Sequence, residues 1–263
     1  MAKAYEKIAD TLRQEIRSGE PGPGQRLPSE TKLVERFKFS LPTIQHALRV
    51  LAAEGLIEKQ HGRGNFVRRP RQLVLRTSER HQWEKDRARQ PLDERLKTGA
   101  TEHDTGLTVG DLVFSAEYHE DAATPHLAAV FGVPEGTKLL RREYRTRYEV
   151  EDFPFNLVTS YLVYDTVAVN PDLTDASREP WPGGTQSQLH TIGIEVDRVE
   201  ERVTARPPTP EEAEELGLLA GGIAVMVLRK TSIDTAGRVV DYSEVILPGD
   251  RTELYFPTSL TRW

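Results

Sequence analysis

Apolar positions in the first fifty residues recur every three or four residues. Past residue 110 they mostly alternate with polar ones. Tyr5, Ile8, Leu12 and Ile16 share one face of a 3.6-residue period and predict a helix over residues 5–17. Gly19, Pro21, Gly22, Pro23 and Gly24 end it. Ser29 is placed to cap a second helix that turns Leu33, Val34 and Phe37 inward, with Lys32 where a capping box would have a glutamate. Phe39 and Ser40 form a turn, and Ser40 is read as the cap of a third helix. Pro42 sits in its first turn, where a missing N–H costs nothing. Ile44, Ala47, Leu48 and Leu51 form its buried stripe, and Gly55 ends it. Residues 56–59 and 65–67 then read as two strands around a glycine tip at residues 60–64.

Helix, helix, turn, helix and basic hairpin is the order of a winged helix-turn-helix. One helix enters the major groove of DNA and the wing reaches alongside. Charge supports that reading once it is divided along the chain. The net charge is −6, which argues against nucleic acid, but residues 1–100 carry +8 and residues 101–263 carry −14. The outward positions of the third helix are Leu41, Pro42, Thr43, Gln45, His46 and Arg49. Gln45 suits adenine, Thr43 or Pro42 a thymine methyl, and Arg49 guanine or phosphate. Lys59, His61, Gly62 and Arg63 would act from the wing, and Ser29, Thr31 and Ser40 from the two helix starts. Arg68, Arg69 and Arg71 add sequence-blind affinity.

The pattern Y-x-x-I-A, G-x-x-L-P-S-E, T-x-x-x-A-L, L-x-x-E-G-L-I, H-G-x-G-x-F-V over residues 5–70 resembles the DNA-binding domain of GntR-family bacterial repressors. The resemblance implies a homodimer on a short palindromic operator. Positions 31, 41 and 45 commonly carry arginine in that family. Here they are Thr31, Leu41 and Gln45, so a changed half-site is expected.

Residues 71–108 are polar and charged with weak apolar periodicity, and they read as a linker after a first domain at residues 1–70. Leu73, Val74 and Leu75 suggest a short strand. Trp83 and Leu96 stand as isolated anchors, and the middle section suits either a mobile linker or a segment docked on the body.

From residue 109 to 263, apolar alternation marks strands at 112–118, 138–148, 155–162, 193–205, 224–233 and 239–247. Helices fall at 124–131, near 187–191 and at 210–216. This predicts an α+β domain with a largely antiparallel sheet. Residues 126–162 echo residues 211–247, each a short helix, a glycine turn, a long strand and a returning strand, which reads as a duplicated half-domain.

The runs LLRREYRTR, FPFNLVTSYL and VDYSE followed by GDR resemble the effector-binding UTRA domain of the HutC-type branch of that family, which has a chorismate-lyase-like fold. The resemblance implies a small-molecule effector. It carries over Arg145 and Arg147 for an anionic group, Ser160 and Tyr161 from the next strand, and Tyr242 and Glu244 from the last hairpin. Guanidinium forks suit carboxylate or phosphate. The glycine-rich approach from Pro180 to Ser187 offers a far pocket wall, with Ser187 at a helix start.

Enzyme chemistry finds little support. The chain has no cysteine, no G-x-S-x-G, no H-E-x-x-H and no Walker loop. Glu117 and His119 share a strand face, which suits a solvated edge better than a metal. The acidic run from Glu211 to Glu215 suits a helix N-terminus. No cofactor or metal is expected. No membrane span or secretory signal is expected either, and the reading is cytoplasmic. The expectation is a dimeric transcription regulator, a repressor by preference, responding to an anionic metabolite. A constitutive regulator without effector and an enzyme on a lyase-like fold are the alternatives.

Overall fold

The computed structural model describes residues 3–60, 62–218 and 222–261. The chain forms two compact units. The first takes the residues up to Arg71 with Pro207–Glu214 and Leu218–Ala224; the second takes Gln72–Arg206, Glu215–Gly217 and the chain from Val225 onward.

In the first unit, α1 (Ala4–Ser18), α2 (Glu30–Phe37) and α3 (Leu41–Ala53) precede a hairpin of β1 (Ile57–Gln60) and β2 (Gly64–Val67). Each helix follows its apolar stripe. Ile8 and Leu12 of α1 meet Leu33 of α2 and Ile44, Leu48 and Leu51 of α3 in one buried cluster that Ile57 and Val67 of the hairpin complete. Ser29 caps α2 by accepting from Lys32 N at 3.3 Å. Ser40 stands at the start of α3 but does not cap it. Its hydroxyl pairs instead with Thr43 Oγ1 at 2.9 Å. Lys38 makes the turn between α2 and α3 in the left-handed region, at φ 60°, where glycine is the usual solution.

The second unit begins with β3 (Val74–Thr77) and three helices, α4 (Arg80–Ala88), α5 (Leu92–Arg95) and α6 (Ala100–Thr105). Residues 72–108 are therefore built into the body instead of forming the expected linker. The physical reason is that polar side chains, not an apolar stripe, hold them. Arg80 of α4 is buried and ion-paired to buried Asp104 of α6 and to Glu84. Arg87, also buried, donates to the carbonyls of Arg95, at 2.9 Å, and Thr98. Trp83 packs on His103 and Arg87, whereas Leu96 is exposed. Periodicity arguments count apolar residues and miss such a core.

The body sheet follows: β4 (Leu112–Ala122), α7 (Pro125–Phe131), β5 (Lys138–Tyr148), β6 (Leu157–Val163), α8 (Tyr164–Val167), α9 (Gly184–Thr191), β7 (Val196–Arg206), β8 (Val225–Asp234) and β9 (Val239–Pro248), while α10 (Pro210–Glu215), between β7 and β8 in the chain, belongs to the first unit up to Glu214. The six long strands form one antiparallel sheet in the order β4-β5-β6-β9-β8-β7. Two consecutive triplets thus run outward from a β6–β9 seam, the order that a duplicated half-domain gives. A last strand, β10 (Thr252–Tyr255), pairs in parallel with β3, a contact the sequence did not announce. Among the described residues no helix is long and apolar enough to cross a membrane.

Candidate functional site

In the first unit, α3 presents Leu41, Pro42, His46 and Arg49 exposed, with Thr43 and Gln45 half-buried beside them. Ser29, Thr31, Ser40, Lys59, Gly62 and Arg63 are exposed as well. His61 lies outside the described residues. Two of these side chains already have partners. His46 stacks on Tyr5 of α1, ring centroids 3.8 Å apart, and Gln45 Nε2 donates to Glu30 Oε2 at 2.8 Å. At the wing tip, Gly62 and Gly64 have φ of 71° and 117°, and the Arg63 guanidinium lies over the Phe66 ring.

In the second unit, one face of the sheet borders a cavity of about 470 Å³, within the range of small-molecule sites. Leu112 and Phe114 of β4, Tyr144 and Thr146 of β5, and Val158 and Ser160 of β6 line it from the sheet. Arg76 and helices α4 and α6 close one side, and the approach to α9 another, with Trp181 and Thr185.

Strand register explains what faces the cavity. Arg142 of β5 is opposite Ser160 of β6, Ser160 is opposite Ser243 of β9, and Ser243 is opposite Lys230 of β8. This row of cation, serine, serine, cation crosses the seam and encloses Asp241, which is fully buried. Asp241 Oδ1 accepts from Ser160 Oγ at 2.7 Å; its Oδ2 lies 3.2 Å from Lys230 Nζ. Arg142 is 1% exposed. It donates to Gln188 Oε1 at 2.6 Å and Ser160 Oγ at 2.8 Å, and lies 3.6 Å from Asp241. Burial opposes charge on Asp241, but Lys230 and then Arg142 outweigh it and hold the carboxyl below its usual range.

Strand alternation divides the expected effector residues between the two faces of the sheet. Successive side chains point to opposite faces, so Arg145 and Arg147, with odd numbers, lie on the face away from Arg142 and Tyr144. Arg145 is ion-paired to Glu215 and donates to the Tyr144 carbonyl; Arg147 donates to the carbonyls of Glu149 and Glu151. Tyr161 and Tyr242 lie on that same far face, packed with the cluster of Leu127, Phe131 and Leu139. Glu244 pairs there with Arg229 at 3.0 Å. Ser187 is buried but receives Arg95 and does not line the cavity. Ser160 alone of the seven expected effector residues faces it, together with the foreseen approach to α9. Glu117 and His119 are exposed, 3.7 Å apart.

Three cavity groups went unnoticed in the sequence. Arg76 of β3 has 11% of its side chain exposed, and its ion-pair contact is Glu201 at 3.6 Å. Among the described residues no hydrogen bond to its guanidinium is seen. Burial first, and Arg80 next, push its pKa down to about 10. Trp181 Nε1 is buried without an acceptor. Of the acids nearby, Glu179 accepts from Tyr144 at 3.0 Å and Gln188 at 2.9 Å, and Asp104 and Glu84 hold Arg80, whereas Glu201 Oε1 is buried without a hydrogen-bond partner. The wall thus offers donors that lack acceptors.

His81, the third group, has Nε2 3.0 Å from Glu201 Oε1 and Nδ1 3.7 Å from Glu84 Oε2, neither aligned as a hydrogen bond. Burial opposes its charge, but Glu201 and Glu84 prevail and raise its pKa above 6.5. A base with a raised folded pKa stabilises the fold fully below its unfolded pKa, and that contribution is lost as pH rises through the folded value. Thermal melts of the wild type should therefore lose midpoint as pH climbs above about 6.5, and His81→Asn should flatten that dependence. An equal slope in the variant would assign it to other groups.

Comparison with known proteins follows the same division. The profile of bacterial regulatory proteins of the gntR family matches residues 4–67, and that of the UTRA domain matches residues 115–253. The histidine utilization repressor of Pseudomonas aeruginosa is 30% identical over 258 residues, covering 96% of this chain and 90% of that one. An HTH-type transcriptional regulator of Streptomyces coelicolor is 29% identical over 259 residues, covering 95% and 90%. A crystal structure of a GntR-family transcriptional regulator superposes with a TM-score of 0.60 at 26% identity, covering 98% of each chain.

Proposed function

The chain belongs to the gntR family of bacterial regulatory proteins and carries a UTRA domain behind its DNA-binding head, and on that premise we propose that it works as a homodimer on a palindromic operator and lets go when a small anionic effector fills the cavity. It is a transcription regulator, not an enzyme, and its place is the cytoplasm, with the DNA. Helix α3 and the wing read the operator; Thr43, Gln45, Arg49 and Arg63 are the base-reading and phosphate-binding groups. The cavity takes the effector, with its anionic oxygens on Arg76 and an acceptor on Trp181 Nε1.

The observation that carries this reading is a cavity of ligand size whose wall holds a guanidinium without a hydrogen bond. A buried donor left unmade costs free energy that a ligand acceptor recovers. A constitutive regulator has no use for such a wall, which is why the effector-free reading is set aside.

Selection of duplexes from a random DNA pool by the purified full chain, followed by a salt titration on the winner, tests the first half. A palindromic winner is expected. Its log affinity should fall against log salt with a slope of about −0.9 for each phosphate neutralised. An asymmetric winner bound by one protomer would overturn the dimeric reading. No enrichment over bulk DNA would overturn the operator reading itself.

A further inference from the structure

We propose that Glu30 is a positioning residue that locks the Gln45 side-chain amide, so that α3 reads adenine and rejects guanine at one step of each half-site. The proposal rests on the reading that α3 enters the major groove.

Gln45 stands on the outward face of α3, one turn from exposed Leu41 and one from exposed Arg49. Its Nε2 donates to Glu30 Oε2 at 2.8 Å. An ionised carboxylate only accepts. Turning the amide over would set Oε1 against that carboxylate, oxygen to oxygen, so Glu30 permits one orientation. Glu30 is itself held: it is the first residue of α2, directly after the Ser29 cap, where the helix dipole favours a negative charge. Neighbouring His46 is stacked on Tyr5 and does not compete for the same place.

The locked amide has one N–H and Oε1 left for DNA. In the major groove adenine offers the N7 acceptor beside the N6 amino donor, which matches that pair bidentately. Guanine offers two acceptors, N7 and O6, so Oε1 would meet O6 with no hydrogen between them. A free glutamine can evade this by turning its NH₂ toward the guanine; one held by Glu30 cannot. The specificity therefore lies in the pair, although only Gln45 meets the base.

The test uses the full chain and the duplex selected from a random pool. Its adenine is changed to guanine at the step where Gln45→Ala loses preference. The wild type should prefer adenine by about ten-fold, the range expected of one bidentate pair. Glu30→Ala should bring that ratio to within about two-fold while the salt slope stays put. Glu30→Gln should relax the preference as well, because the substituted amide can turn its NH₂ toward Gln45 Oε1 and so accepts either orientation, whereas Glu30→Asp, which only accepts, should retain more of it than Glu30→Gln does. A merely structural role for Glu30 would weaken both duplexes equally and leave the ratio unchanged. An unchanged ratio in Glu30→Ala overturns the proposal, as does a guanine at the step that Gln45→Ala disturbs. Failure of any duplex to enrich would instead remove the groove reading on which it stands.

Discussion

Replacing Arg142 with methionine is expected to destabilise the second unit by about 3–5 kcal/mol, the cost typical of breaking a buried ion pair from one side. Arg142 and Asp241 are 1% and 0% exposed. Burial works against charge on both. Asp241 stays ionised because Lys230 and Arg142 face it, while Arg142 is kept charged with the help of Tyr144, Tyr118 and Asp241. Removing the guanidinium leaves Asp241 with Lys230 as its remaining cation and strips Gln188 and Ser160 of a donor. Methionine fills much of the volume, so the loss is electrostatic and not a cavity effect. Denaturant melts of the single variant, of Asp241→Asn and of the double variant provide the check. The double variant should lose clearly less than the two singles together. Additive losses would mean that Arg142 acts through packing on Tyr144 alone.

This row of buried charges also shows where the sequence was legible. Strand positions followed from alternation, and the helices of the head from their stripes. What alternation does not reveal is which face of a strand is covered. Residues 141–147 read Arg-Arg-Glu-Tyr-Arg-Thr-Arg, polar on both faces. Nothing in residue type separates buried Arg142 from Arg145, because a buried arginine is marked by partners that arrive from distant strands. One clue was available. Ser160 and Tyr161 are adjacent on a strand and cannot both face one cavity. Keeping Ser160 and following the antiparallel register leads to position 142, not 145. Residues 72–108 hid for the same reason. Their core is Arg80, Arg87 and Asp104, residues that in sequence look like a solvated surface. Arg76 belongs to that stretch too, and its polar, aperiodic surroundings hide the group proposed to meet the effector's anion.

Arg76 should respond to substitution in the opposite sense to Arg142. Arg142 is surrounded by acceptors, whereas Arg76 has Glu201 at 3.6 Å and no hydrogen bond among the described residues. Its pKa of about 10 means that the fold disfavours its charge at neutral pH. For a base with a depressed folded pKa, removing the charge relieves the fold throughout the range below that pKa. Arg76→Gln should therefore raise the midpoint of thermal unfolding, by an amount corresponding to roughly 1–3 kcal/mol at about 1.4 kcal/mol per pK unit. It should leave selected-operator affinity within about two-fold of wild type, since it touches no group of the head. What it should abolish is the response to acids. Small carboxylates and organic phosphates that shift the wild-type melt or release its operator should do neither in Arg76→Gln. Arg145→Ala, altered on the far face of the same sheet, should respond as wild type does. A stabilised variant that has lost its ligand is the signature of a strained binding residue. If the same acids still act on Arg76→Gln while Arg145→Ala ignores them, the effector sits on the other face of the sheet. If neutral compounds alone act on the wild type, the anion is wrong and the Arg76 guanidinium serves the fold in some other way.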